Sequence, residues 1–374
     1  MHKRLRDVRL AHGWSQARLV HEIVARLKAA GRLNVSPESL KVYVSEWENG
    51  RRPVAPMYRE VLRAIFGMTD EELFGTDEIP GAAPGYVELL DRITGARAID
   101  RAAVATLAAQ TDLFRTMDRQ LGAGALVDQI RGHLLTLERA LTHAVLPDAR
   151  RPVACVLSET ATLAGWQALD VGAVDRAWDH YETARTAATE SARPALVAHA
   201  MGEQAYVLAD LGSPDLGAQL LDDAIAVATG HAPARLLTWL HAAQAELYAL
   251  AGAADASRRA LDRAAASLPD DGEERDPDVP GVILNETHLM RWRGHALALL
   301  GEPSAIEQLY AALDRMDGTF TRARAGLLCD LAHAHRVRGE LDDAQRQARA
   351  ARLLANRTGS VRHLRRIDRL ALSE

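Results

Sequence analysis

At 374 residues the chain is too long for one hydrophobic core and should divide into two or three domains; 48% hydrophobic and 25% charged residues are ordinary values for a globular protein. No apolar run approaches the roughly 20 residues of a membrane span, and Met1-His2-Lys3-Arg4-Leu5 is not followed by the apolar stretch of a signal peptide, so a cytoplasmic protein without membrane partners is expected. The net charge of −5 is unevenly spread. Residues 1–66 carry thirteen basic side chains against six acidic ones, which leaves an acidic remainder and outlines a nucleic-acid module joined to a different body.

Ala, Leu and Arg dominate while β-branched runs are scarce, which favours helices throughout. Leu5 and Val8 mark a first short helix that Gly13 ends. Ser15 is an N-cap for a helix running through Leu19, Ile23 and Leu27 to about Ala30, and Gly31 to Asn34 reads as a loop. Ser36-Pro37-Glu38 opens another helix, with a cap followed by proline at the first helical position. Its Leu40, Val44 and Trp47 fall at i, i+4 and i+7 and face a core, so Glu38, Lys41, Val42, Ser45, Glu46 and Asn49 fall on the opposite face. Further helices are predicted from Met57 to Phe66 and up to Phe74-Gly75, closing a domain over 1–75. Prolines and glycines among small residues mark a linker over 76–85. A helical connector over 86–150 is a candidate dimerisation region, and Pro147 to Pro152 reads as its far boundary.

Over 151–374 the sequence repeats. Gly172, Gly212, Gly252, Gly301 and Gly339 each sit between two Ala/Leu-rich helices. Seven residues before each stands Gly165, Ala205, Ala245, Gly294 or Ala332; five after it stands Ala177, Gly217, Ser257, Ile306 or Ala344. Small residues at fixed places let the two helices of a hairpin approach and let hairpins stack, so about five hairpins are expected. The acidic stretch Pro269 to Pro280 reads as a surface loop between the third and fourth. The two cysteines, Cys155 and Cys329, read as free thiols.

Two resemblances follow from these residues. Leu5-Arg6-x-x-Arg9, Gly13-Trp14-Ser15-Gln16 and the run Val44 to Arg52 with Val54 resemble the Cro/phage-repressor (XRE-like) helix-turn-helix, with an apparent insertion at Lys28 to Val35. That resemblance implies that the Lys41–Asn49 face enters the major groove of double-stranded DNA, with Lys41, Val42, Ser45 and Glu46 toward base edges. Gln16 matches the family's phosphate-contacting position, and Arg18, Arg51 and Arg52 are phosphate candidates by charge and position. Glu46 would discriminate rather than attract, because it also repels phosphates. The glycine-centred hairpins resemble tetratricopeptide repeats, loosened and longer than the usual ~34 residues.

Head plus repeats is similar to peptide-responsive quorum-sensing regulators, although no asparagine falls on the projected inner face to clamp a peptide backbone. Leu163 to Asp170 and Gly202 to Tyr206 are closer to actinobacterial regulators with a Cro-like head and degenerate repeats. The whole fold class is therefore all-α: a helix-turn-helix domain, a helical connector and a tetratricopeptide-like α-solenoid. Its concave face is expected to present Trp166, Asp170, His199, Tyr206, Trp239, Glu246, Arg291, His295 and His333 to a small-molecule or peptide effector. Dimerisation on an inverted repeat is expected, because one head buries little surface and paired half-sites need paired heads. No catalytic residue, cofactor or metal is expected. His333 and His335 diverge by about 200° on a helix, and no P-loop, dinucleotide fingerprint or nucleophile elbow is present. The alternative is an interaction scaffold whose repeats bind a regulatory protein, the head only localising it.

Overall fold

The computed structural model describes residues 4–32, 35–74, 84–97, 100–271 and 273–371, and these form two compact units divided at Leu90/Asp91. All regular structure among the described residues is helical. The predicted linker lies mostly outside the described residues, as do Leu33 and Asn34 of the predicted loop.

The first unit contains α1 (Arg4–Ala11), α2 (Gln16–Ala29), α3 (Pro37–Glu48), α4 (Pro56–Phe66) and α5 (Asp70–Phe74). Both predicted caps form. The Ser15 hydroxyl accepts from the Arg18 amide at 3.1 Å and the Ser36 hydroxyl from the Ser39 amide at 3.2 Å, each satisfying a free helix-end donor. Leu19, Ile23, Leu27, Leu40, Val44, Trp47, Tyr58 and Leu62 share one core. Inside it lies an ion pair: Arg9 donates to both Glu48 oxygens, at 2.5 and 2.9 Å, tying α1 to the end of α3. The helix α6 (Pro84–Arg97) spans the division between the units.

The second unit begins with α7 (Arg101–Leu121), a 3-10 turn at Ala123–Ala125 and α8 (Val127–His143). Five hairpins follow: α9 (Pro147–Asp170) with α10 (Val174–Ser191), α11 (Pro194–Asp210) with α12 (Pro214–Ala228), α13 (Ala234–Leu250) with α14 (Ala254–Ser267), α15 (Glu286–Leu299) with α16 (Ala305–Arg315), and α17 (Thr321–Val337) with α18 (Leu341–Thr358). The first helices of successive hairpins contact one another and each second helix packs on the following hairpin, so the body is a tetratricopeptide-like solenoid. The five hairpin glycines have φ between 74° and 84°, the left-handed region where other residues are strained.

The small-residue columns meet as the sequence requires. A Cβ on Gly165 would stand 2.7 Å from the Tyr181 ring, one on Gly217 would stand 2.8 Å from the Ala205 carbonyl oxygen, and the Ser257 hydroxyl donates to the Ala245 carbonyl at 2.8 Å.

Three expectations change. The residues from Arg101 onward do not form a separate connector: Phe114 of α7 and Ile130, Leu134 and Leu137 of α8 share a core with Val153 and Leu157 of α9. Pro147 to Pro152 is no boundary either, since it is the start of α9: Pro147 opens the helix without loss, and Pro152, already inside it, removes one backbone hydrogen bond. The segment after α14 is only partly a surface loop, because Val279, Val282 and Leu284 are buried in the solenoid core.

A last helix, α19 (Val361–Asp368), turns back across the inner face to touch α9 and α17. The end of the array thereby meets its beginning. Gly122, capping α7, lies so close to Thr358 that a Cβ would stand 2.0 Å from the Thr358 carbonyl oxygen.

Candidate functional site

In the first unit, α3 is oriented by Leu40, Val44 and Trp47, all buried. Its other face leaves Lys41 and Asn49 exposed, Val42 54% exposed, and Ser45 and Glu46 half-buried. Arg51 is exposed, and Arg18, also exposed, stacks 5.0 Å from the Trp14 ring centroid. Arg52 is committed twice: its guanidinium lies 3.8 Å over the Tyr43 ring and 3.5 Å from the Glu46 carboxylate. The charge of Glu46 is thus partly neutralised from within the unit.

Two of the sequence-predicted DNA residues are occupied elsewhere. The Gln16 amide donates to Glu48 at 2.8 Å, completing the shell around the buried Arg9–Glu48 pair. The Asn49 side-chain amide donates to the Ser45 carbonyl at 2.7 Å, adding to the bond that its own backbone N–H makes to the same oxygen at the end of α3.

In the second unit, α7, α9, α11, α13, α15, α17 and α19 and the 281–283 segment line a partly open cavity of about 260 Å³. The sequence predicted a groove on the concave face, and α19 and α7 narrow it to a chamber that stays open to solvent. Seven of the nine predicted groove residues line it: Trp166, His199, Tyr206, Trp239, Glu246, Arg291 and His295. Asp170 and His333 do not. Asp170 is fully buried behind the wall, accepting from the Ser360 hydroxyl at 2.5 Å and facing Arg322 Nε at 3.1 Å. His333 lies one turn beyond Asp330 on α17 and is half-buried outside the lining.

The chamber is polar and tightly paired. His295 presents Nδ1 to Asp330 at 2.6 Å and Nε2 to Glu246 at 3.0 Å, and the Tyr206 hydroxyl donates to Glu246 at 3.1 Å. Burial alone would push the His295 imidazole down, but Asp330 and Glu246 outweigh it and hold it at about 9. It is therefore an imidazolium at neutral pH. Arg366 of α19 also donates to Asp330, whose carboxyl is held well below the usual range despite burial. Arg322 donates to Asp118 at 2.6 Å, Arg115 to Glu159 at 2.9 Å, and Arg362 to Asp210 at 3.2 Å. Burial, with the neighbouring Arg291 and Arg119, pushes His288 down to about 3, so it is neutral.

The arginines 115, 119, 322, 362 and 366 were not foreseen as site residues. Those of α7 belong to the supposed connector, and those of α19 look like a solvated basic face when read as sequence. Chemically the chamber holds charges and rings, without a nucleophile poised beside a base. Burial pushes the nearby Cys329 thiol up to about 12, which rules it out as a thiolate at neutral pH.

No family model matches the chain, and no curated protein matches it. Among solved structures it is similar to the nearly identical tetratricopeptide-like repeats of a protein described as a kinesin light chain of Podosopora anserina, at 15% identity and a TM-score of 0.35, covering 55% of this chain and 97% of that one. A likeness this slight bears on neither function nor partner.

Proposed function

We propose that the chain is a sequence-specific DNA-binding transcription regulator of the cytosol, whose repeat body holds a small effector. The observation that carries the DNA half is the face of exposed Lys41 and Val42 and half-buried Ser45, held by a buried hydrophobic stripe on a capped helix and flanked by the exposed cations Arg18 and Arg51, which meet no carboxylate among the described residues. Lys41 suits guanine edges, Val42 a thymine methyl and Ser45 several edges, while the two arginines suit phosphates. Glu46, reined in by Arg52, is left to select against sequences rather than to repel the backbone.

The cavity's volume of about 260 Å³ favours a small molecule over an extended peptide. Exposed Leu113 and Leu121 of α7 and Leu135 of α8 support self-association through these helices, which suits an inverted repeat. Selection of bound DNA from random sequence, followed by a salt-dependent shift of the selected site, tests the proposal. Enrichment of no sequence would overturn it.

For the scaffold reading the repeats offer exposed apolar side chains, Leu211, Val337 and Leu353, at 64%, 50% and 71% exposure. Retained function in cells after removal of Lys41 and Ser45, with loss on replacing those three residues by serine, would favour the scaffold.

A further inference from the structure

Four of the six guanidiniums lining the chamber, those of Arg115, Arg322, Arg362 and Arg366, are each met by a carboxylate. The other two are not. Arg291 makes no hydrogen bond or ion pair among the described residues, and its buried Nε has no acceptor. Arg119 donates only to the Thr116 hydroxyl at 3.3 Å and lies 5.0 Å over the Phe320 ring, and its Nε is also buried without an acceptor.

Both line the chamber and act electrostatically on His288, whose ring stands 4.9 Å from that of Phe320. Each feels carboxylates at longer range, Arg291 those of Asp330 and Glu246 and Arg119 those of Glu274, Asp118 and Asp317, but neither is directly paired with one. A guanidinium whose Nε is buried without a directly paired anion is costly, and burial pulls the pKa of both down, so the site gains when an anion arrives. The chamber also holds an aromatic cluster, the Tyr206 ring 6.4 Å from that of Trp166 and 6.1 Å from that of Trp292, with Arg291 4.8 Å over Trp292 and Arg362 5.6 Å over both Trp166 and Tyr206. The volume of about 260 Å³ sits just under the ~300–1,000 Å³ of drug-sized sites.

We infer that the chamber binds a small, flat, mainly apolar molecule carrying one anionic group, the anion met by the unpaired guanidiniums Arg119 and Arg291 of the lining and the rings among Trp166, Tyr206 and Trp292. The inference rests on the reading of the repeat body as an effector site. A carboxylate fits the fork geometry of a guanidinium, and neutral His288 can add a further donor. A phosphate monoester shares that chemistry.

The test uses the full chain and three matched probes: 2-naphthoate, 2-naphthamide and 2-naphthyl phosphate. Quenching of tryptophan fluorescence and thermal shift report binding. An anion is expected to bind about tenfold or more tighter than the amide, and the stronger of the two anions identifies the group. Arg291→Gln and Arg119→Gln should each abolish that preference, while the melting temperature of the unliganded protein stays the same or rises. Equal binding of amide and anions, or no saturable binding of either anion at millimolar concentration, overturns the inference. So does a lowered melting temperature in Arg291→Gln with probe affinity intact, because Arg291 would then be structural. Shifts of the selected DNA by the unliganded proteins are measured in parallel, so failure of the probes is distinguished from failure of the regulator reading.

Discussion

Arg322 of α17 donates to Asp118 of α7 at 2.6 Å, joining positions 204 residues apart with both side chains almost wholly buried. The same guanidinium faces Asp170 on α9 at 3.1 Å, so one side chain pins the last hairpin to both α7 and α9. Removing it leaves two buried carboxylates uncompensated. Arg322→Leu is therefore expected to destabilise the repeat body by about 3–5 kcal/mol, read as a lowered urea midpoint. Arg322→Leu with Asp118→Leu should cost less than the two single changes added together, because the pair is coupled. Additive costs would show that the bridge does not close the array.

The ring histidines make stability peak near neutrality. His295 has its pKa raised from an ordinary 6.5 to about 9, so the folded protein holds a proton that the unfolded chain has released between those values. Its contribution is complete below about 6.5 and is lost as pH rises toward 9. His288 runs the other way: with its pKa lowered to about 3, it loses stability as pH falls from 6.5. Each slope is at most about 1.4 kcal/mol per pH unit. Thermal melts of wild type from pH 5 to 9 should therefore pass through a maximum, and His295→Gln should remove the alkaline decline. A His295 resonance titrating near its ordinary value would contradict the Glu246–His295–Asp330 bridge.

Much of this body was readable in one dimension. A glycine with positive φ and a small residue seven positions before it are local demands, and each shows in a single residue type. What closed the solenoid was not readable. Arg362 and Arg366 sit in a short basic helix whose partners, Asp210 and Asp330, are 152 and 36 positions away, and nothing in the local pattern separates them from solvated arginines. Arg9 and Glu48 were part of a recognised motif, yet only the fold shows that they form a buried pair. The same holds for Val279, Val282 and Leu284, hidden behind an acidic, proline-bearing stretch.

The hairpin columns can be tested by adding one methyl group. Gly165→Ala would drive a Cβ to 2.7 Å from the fully buried Tyr181 ring, which has no room to withdraw. Overpacking of this kind costs about 1–3 kcal/mol. Gly132, inside α8, is the control: nothing lies within 4 Å of its would-be Cβ, so Gly132→Ala should stabilise by about 0.5–1 kcal/mol through helix propensity. Equal effects at the two positions, measured by urea denaturation, would mean that the close approach is not what fixes the hairpin.

For the first unit the informative change is at Arg52. Three kinds of contact are proposed there, and they differ in how they respond to salt. Lys41→Ala and Ser45→Ala should each cost about 1–3 kcal/mol on the selected site and relax its sequence preference. Arg51→Ala should weaken all sequences alike and reduce the salt slope by about 0.9. Arg52 lies between these classes, because its guanidinium is held by Tyr43 and by Glu46. Arg52→Ala removes a cation and also releases a carboxylate toward the phosphates, so it should weaken binding more than Arg51→Ala does. Restoring charge balance with Glu46→Gln in the Arg52→Ala background should recover part of that loss, at the expense of discrimination between sequences. If the double variant binds no better than Arg52→Ala alone, Glu46 does not face the backbone and the proposed docking of α3 is wrong.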